Sequence, residues 1–304
     1  MTAPSIFVIG EALIDAVESG GTVVEHVGGS PANVAIGAAR QGLAVHLLTA
    51  FGEDARGRAI RSLMDAASVT LAPTSGRLER TSVATATLQP DGSAVYDFDI
   101  HWEIESWTPP AAPTVVHTGS IAAFLAPGAD TVAELLRSSQ GASVITFDPN
   151  IRPALVGDHA AALARVEATA ALADVVKLSD EDAEWLYPGA SAEDVLDRLE
   201  SFGCALVAMT RGSEGAIVQA HGERFAIPAV AVTVADTIGA GDSFMACLVS
   251  DIAKQGLAAV VADPVRFGTR AATSAAIVVS RVGADMATAD EVDRAVENGR
   301  VALG

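Results

Sequence analysis

The chain has 304 residues, half of them hydrophobic and 19% charged, with a net charge of −19. That composition can bury a large core and argues against global disorder. The acidic balance argues against a nucleic-acid or anionic-membrane partner, which needs clustered Lys and Arg, but leaves room for a small anion held by backbone amides, a few bases and a metal.

Read from the N-terminus, residues 6–9 form a β-branched run ending at Gly10, and residues 12–27 carry further strand-like pieces around Gly20-Gly21. Residues 32–41 are an Ala-rich helical stretch, and 45–49 a strand that stops near Gly52. Residues 82–88 and 94–100 flank Gln-Pro-Asp-Gly-Ser and read as a hairpin turning at Asp91-Gly92. Strands then follow at 114–117, 144–147, 175–178 and 205–210, alternating with helical stretches at 129–138, 160–171 and 192–202. A strand-like run at 230–234 leads into an apolar segment at 244–252. Strands alternating with helices of this length predict βαβ units and a mostly parallel sheet, whose ligands gather beyond the carboxyl ends of the strands. The hairpin and the 12–27 pieces break that pattern. They form either a small antiparallel sheet projecting from the main domain or an ordinary hairpin on the sheet edge.

Cys204 and Cys247 have neither metal-ligand spacing nor a disulfide framework, which points to a reducing cytoplasm. The six histidines form no zinc-like pair. The N-terminus has no basic region before its short apolar run, and no apolar stretch reaches membrane-spanning length, so a cytoplasmic protein is expected. The acidic residues between Glu181 and Glu184 open a helix, where the dipole favours them without any function.

The most informative stretch is 236–244, Asp-Thr-Ile-Gly-Ala-Gly-Asp-Ser-Phe, at a loop-to-helix junction. Gly239, Ala240 and Gly241 allow a tight turn and leave amide N–H groups unhindered at the positive end of a helix. Such amides suit the charge that spreads over a phosphoryl group in transfer, and Asp242 beside them suits a base for an attacking hydroxyl. A plain helix start is the alternative, since Gly and Asp are common at caps. No Walker A motif occurs, and Gly10-Glu11 stands where a dinucleotide fold would carry its glycine fingerprint.

The whole string is similar to the signature of the PfkB, or ribokinase-like, carbohydrate kinase family. The likeness extends to Gly28-Gly29-Ser30-Pro31-Ala32-Asn33 and to Gly42, Gly52, Asp54 and Gly57. Residues 147–153, Phe-Asp-Pro-Asn-Ile-Arg-Pro, and 176–182, Val-Lys-Leu-Ser-Asp-Glu-Asp, resemble fructokinases within it. The resemblance implies one domain: a three-layer α/β/α core with a mostly parallel sheet (about 1–10, 29–80 and 108–304) and a small β-sheet lid (about 11–28 and 81–107). It implies ATP-dependent phosphorylation of a sugar hydroxyl, best fitted to fructose, with Asp242 as the base and the 239–241 amides as the anion site. Asp15, Gly28, Gly29, Asn33, Asn150 and Arg152 would then hold the sugar. Taken singly, Asp15 also reads as a solvated strand-end carboxylate, Asn33 as a helix cap and Arg152 as an ion-pair partner across its loop.

By the same resemblance Lys177, Ser179, Thr210 and Gly212 face the nucleotide. Asp182 stands where the family often has Glu and would act on Mg²⁺ through water. Potassium activation would use Asp236, Ile238, Val278, Arg281 and Gly283. Residues 97–102 lack the Phe-Tyr-Arg run of many relatives, which argues against an acidic sugar and keeps another sugar or a nucleoside open. Pairing of lid edges in some relatives allows a homodimer. A non-catalytic sugar- or nucleotide-binding regulator and a NAD-dependent oxidoreductase are the rival classes.

Overall fold

A computed structural model describes residues 3–88 and 94–302. In chain order the elements begin β1 (Ser5–Ile9), β2 (Leu13–Ser19), β3 (Thr22–Gly28), α1 (Ser30–Arg40), β4 (Ala44–Leu48), α2 (Ala55–Ala66), β5 (Val69–Leu71), β6 (Val83–Leu88) and β7 (Ala94–Asp99). The middle comprises β8 (Val115–Gly119), α3 (Gly128–Ser139), β9 (Val144–Asp148), α4 (Pro153–Val156), α5 (His159–Ala170), β10 (Val175–Ser179), α6 (Asp180–Leu186) and α7 (Ala192–Glu200). Last come β11 (Leu206–Thr210), β12 (Ala216–Ala220), β13 (Glu223–Ile227), α8 (Ala240–Gln255), α9 (Leu257–Ala262), α10 (Pro264–Val279) and α11 (Ala289–Ala302).

β1 explains the layering. Ile6, Phe7, Val8 and Ile9 are all buried, as in a parallel strand covered on both faces. β1 pairs in parallel with β4 on one side and β8 on the other, inside a nine-stranded sheet ordered β13-β12-β11-β10-β9-β8-β1-β4-β5. Because side chains alternate, Ile6 and Val8 join one core with residues of α1, α8 and α10. Phe7 and Ile9 join a second core with residues of α3, α5 and α7. A sheet between two helical layers results. β12 and β13 close one edge as an antiparallel extension. Residues 230–234, read above as strand-like, are irregular: Pro228 follows β13 directly, and Val230, Val232 and Val234 are exposed. Pro supplies no amide to continue the ladder.

The second sheet is separate from the first, in the order β3-β2-β6-β7. It consists of two antiparallel hairpins joined by parallel pairing of β2 with β6. The Asp91-Gly92 turn lies outside the described residues. This sheet leaves the core where β1 ends. The chain returns from it through Trp102, which is buried and donates its indole N–H to the Ala122 carbonyl at 3.2 Å.

α8 is buried on all sides from Asp242 to Ala253, so its neighbours must approach closely. Gly37 permits this for α1: a Cβ on Gly37 would stand 2.5 Å from the Ala246 Cβ. Gly37→Val is therefore expected to force the two helices apart and to lower stability by roughly 1–3 kcal/mol, seen as an earlier urea midpoint at unchanged m-value.

Candidate active site

Two helices begin at the same place. Gly239 caps α8 at φ +78°, a left-handed conformation that suits glycine, and this sets Asp242 in the first helical turn. Gly29 caps α1 at φ +106°, and a Cβ there would stand 2.4 Å from the Glu11 carbonyl oxygen. α1 has no side-chain cap and no acidic residue in its first turn. Its first turn meets the Asp242 carboxylate instead: the Ser30 hydroxyl donates to Oδ1 at 2.6 Å and the Asn33 amide donates to Oδ2 at 2.8 Å. All three residues are buried.

Lys177, in the middle of β10, reaches Gly241; its Nζ is 2.9 Å from where a Gly241 Cβ would stand. It donates to Asp148 Oδ2 at 2.9 Å, and both side chains are almost wholly buried. Burial pulls the Lys177 pKa down, but the carboxylates of Asp148, Asp182 and Asp242 outweigh it and leave it raised, so the ammonium keeps its proton. Asp148 Oδ1 is buried without a hydrogen-bond partner. Asp182 is tied to backbone: Oδ1 accepts from the Ile151 N–H at 2.7 Å, and Oδ2 accepts from the Ser179 N–H at 2.9 Å and the Ser179 hydroxyl at 2.7 Å. With the Asp182 N–H donating back to Ser179 Oγ, the pair forms the capping box of α6.

Asp15 is carried by β2 of the small sheet. Its Oδ2 is 1.9 Å from where a Gly28 Cβ would stand, so a side chain at Gly28 would push the carboxylate from this position. Asp15 is open to solvent, yet burial of its carboxyl among surrounding protein raises its pKa, with Arg152 opposing and Asp242 reinforcing the shift. Arg152 is exposed and held by Asn150, donating to its Oδ1 at 2.8 Å rather than pairing across the loop. Asn150 itself adopts φ +38° as the chain turns beyond β9.

Thr210 ends β11 and donates to the Leu178 carbonyl at 3.4 Å, with Gly212 exposed in the turn beyond at φ +49°. Asp236 clips two loops together, its Oδ1 accepting from the Ile238 N–H at 3.0 Å and its Oδ2 from the Gly283 N–H at 2.9 Å. These two bonds hold its pKa below the usual carboxylate value. The Val278 carbonyl accepts from the Arg281 N–H at 2.9 Å, and the Arg281 side chain turns to Asp285 and Glu291.

Three residues of the site have no role in the sequence reading. Ser30 lies inside the quoted Gly-Gly-Ser-Pro-Ala-Asn string and Asp148 inside Phe-Asp-Pro-Asn, but only the fold sets them against Asp242 and Lys177. Glu11, straight after β1, is the third. It is buried, and one of its oxygens accepts from the Ala122 N–H at 3.1 Å. Burial pushes its carboxyl up to about 7, against bonds from Ser120 and Ala122.

A family model described as pfkB family carbohydrate kinase matches residues 3–290. A fructokinase of Rhizobium leguminosarum bv. trifolii is 30% identical over 264 residues, covering 83% of this chain and 81% of its own. The crystal structure of a fructokinase with bound ATP from Xylella fastidiosa aligns with a TM-score of 0.82 at 27% identity, covering 97% of this chain and 99% of that one. A fructokinase from Vibrio cholerae O395, in a fructose-, ADP- and calcium-bound form, aligns at 0.78 and 25% identity, covering 92% and 94%.

Glu11 generates a pH test of the site's floor. Between its ordinary value of 4.5 and about 7 the folded chain keeps this proton and the unfolded chain releases it. Stability contributed by the group is therefore present below pH 4.5 and lost as pH rises toward 7. Glu11→Gln does not titrate, so its stability relative to the parent should climb by roughly 2–3 kcal/mol over that window, measured by urea unfolding at each pH. Parallel curves for the two proteins would contradict the assignment.

Proposed function

The chain belongs to the pfkB family of carbohydrate kinases, and from that premise we propose that it transfers the γ-phosphoryl group of ATP to a hydroxyl of fructose with Asp242 as the base. The observation that carries this reading is the buried Asp242 carboxylate, held by two donors at the meeting point of two helix N-termini and close to a buried Lys177. A carboxylate so placed accepts the proton of the attacking hydroxyl. The 239–241 amides and the Lys177 ammonium then face the charge that develops on the transferred group.

Asp15 and the free carbonyl oxygen of Asn33 are the acceptors for sugar hydroxyls, with the backbone of Gly28 and Gly29 close by. Arg152, positioned by Asn150, supplies a donor on the same side. Fructose is the substrate supported by the curated relative and by both solved fructokinases. ATP belongs on the side of Lys177, Ser179, Thr210 and Gly212, beyond the ends of β10 and β11.

Magnesium fits here as a metal arriving on the ATP phosphates. Among the described residues no group of three or more His, Cys, Asp or Glu side chains is arranged to cage an ion. Asp182 already takes three hydrogen bonds, whereas the unpartnered Asp148 Oδ1 and Asp182 together suit contact through water. When bound, the ion would offset phosphate charge. For potassium, the Asp236 clip to the Ile238 and Gly283 amides, with the Asp236 N–H donating to the Val279 carbonyl, supports a site in the loops next to Val278 and Arg281 in sequence.

The small sheet serves as the lid, and closing it would keep water from competing with the sugar. Its two edge strands, β3 and β7, expose Val23, Val24, Val95 and Tyr96, which supports a homodimer through the lids. Among the described residues no helix is long and apolar enough to cross a membrane, and both cysteines are buried free thiols, which supports a cytoplasmic site.

The test is ATP consumption with Mg²⁺ and K⁺ across fructose, ribose, 2-keto-3-deoxygluconate and nucleosides. Fructose-dependent turnover is expected, and Asp242→Asn should lower kcat by about 10²–10⁴-fold while sugar still binds. Turnover on another panel member would change the substrate and keep the chemistry. Sugar binding with no turnover on any member would leave a binding protein instead.

A further inference from the structure

We propose that Ser30 is a positioning residue for the base, fixing the plane of the Asp242 carboxylate so that one lone pair faces the acceptor hydroxyl. This rests on the reading of Asp242 given above and extends it to the residue whose hydroxyl bonds to that carboxylate.

The torsion that turns an Asp carboxylate about its own axis is broad and roughly two-fold, so a single hydrogen bond leaves the plane free to swing. Asn33 holds only Oδ2. The Ser30 hydroxyl, 2.6 Å from Oδ1, adds a donor on the other oxygen, and two anchors on different oxygens determine the plane. Ser30 is 7% exposed and Asp242 9%, so water competes poorly for the bond and its direction persists. A carboxylate oxygen has two lone pairs, and each Asp242 oxygen keeps one after these bonds. The proton of the attacking hydroxyl must reach a lone pair of defined direction. A small misplacement of that lone pair costs rate and leaves ground-state affinity alone.

The geometry also separates Ser30 from its neighbour. Asn33 carries a side-chain carbonyl oxygen, proposed above as a sugar acceptor, as well as the amide that donates to Asp242, so truncating it would disturb sugar and base together. Among the described residues the Ser30 side chain bonds to Asp242 alone, and a substitution there isolates the orientation of the base.

The experiment measures steady-state kinetics of Ser30→Ala and Ser30→Thr on the panel sugar that supports turnover, each also combined with Asp242→Asn. For Ser30→Ala, kcat should fall roughly 10–100-fold, with KM for sugar and ATP within about 2-fold and the melting temperature lowered by no more than a few degrees. Ser30→Thr, which keeps the hydroxyl, should recover most of the rate. In the Asp242→Asn background Ser30→Ala should have no further effect, because no base remains to be oriented. An unchanged kcat in Ser30→Ala, or the same fold-loss with and without the Asp242 carboxylate, would overturn the role of Ser30 and leave the base assignment standing. Full turnover by Asp242→Asn, or no sugar-dependent turnover by the parent, would remove the base and this proposal with it.

Discussion

Asp242 opens one helix and takes hydrogen bonds from the first turn of another, 209 and 212 residues away in sequence. Much of the architecture serves that contact. α1 follows β3 and the lid, and α8 follows the irregular 228–239 stretch, so neither helix could find the other without the sheet between the layers. Gly37 against Ala246 lets their axes close up, and Gly29 and Gly239 take backbone conformations that a side chain would resist. Both helix N-termini carry partial positive charge, and a carboxylate placed between them is stabilised as an anion.

A chain of net charge −19 must make any anion site locally. On the proposed function it does so with the buried Lys177 and several backbone amides. Lys177 is surrounded by Asp148, Asp182 and Asp242, an arrangement that holds its proton but is dear in desolvation. Such a buried pair contributes little net stability, and removing one partner would strand the other. Its value is placement: the ammonium is fixed beneath Gly241, where a larger residue would press on it. Asp182 shows the same economy of position. Its carboxylate folds Ser179 and Ile151 into one unit, joining the end of β10 to the loop after β9.

What could be read from sequence follows from the range of the forces involved. β1, β4, β8, β9, β10 and β11 announce themselves because buried parallel strands are continuous apolar runs. The 236–244 motif was legible because a glycine-flanked helix start with an Asp in its first turn is local chemistry. The strand-like 230–234 failed for a reason that pattern cannot detect: β-branched residues need a partner edge, and none was available after Pro228. β12 and β13 add an antiparallel edge that the alternation of strands and helices did not announce. Ser30 and Asp148 sat within quoted motifs, yet their roles come from residues brought up by other strands and helices. Glu11 carried no signal beyond following a glycine; only burial makes it unusual.

The candidate site therefore has two halves of different burial. Asp242, Lys177, Asp148 and Asp182 are fixed by the sheet ends and helix starts of the core, and all are buried. Asp15 is carried by β2 in the separate sheet and remains open to solvent. At the root of that sheet Arg80 donates to Asp99 at 2.9 Å and to His101 at 3.2 Å, joining the end of β7 to the residues before β6 on an exposed surface. Exposed pairs of this kind are weak and easily exchanged for water, which suits a joint better than a clamp. On the proposed function, the groups that move protons and phosphoryl charge sit on the buried half, and those that recognise the sugar are shared with the small sheet. Specificity would then change through that sheet while the chemistry of the core stays in place.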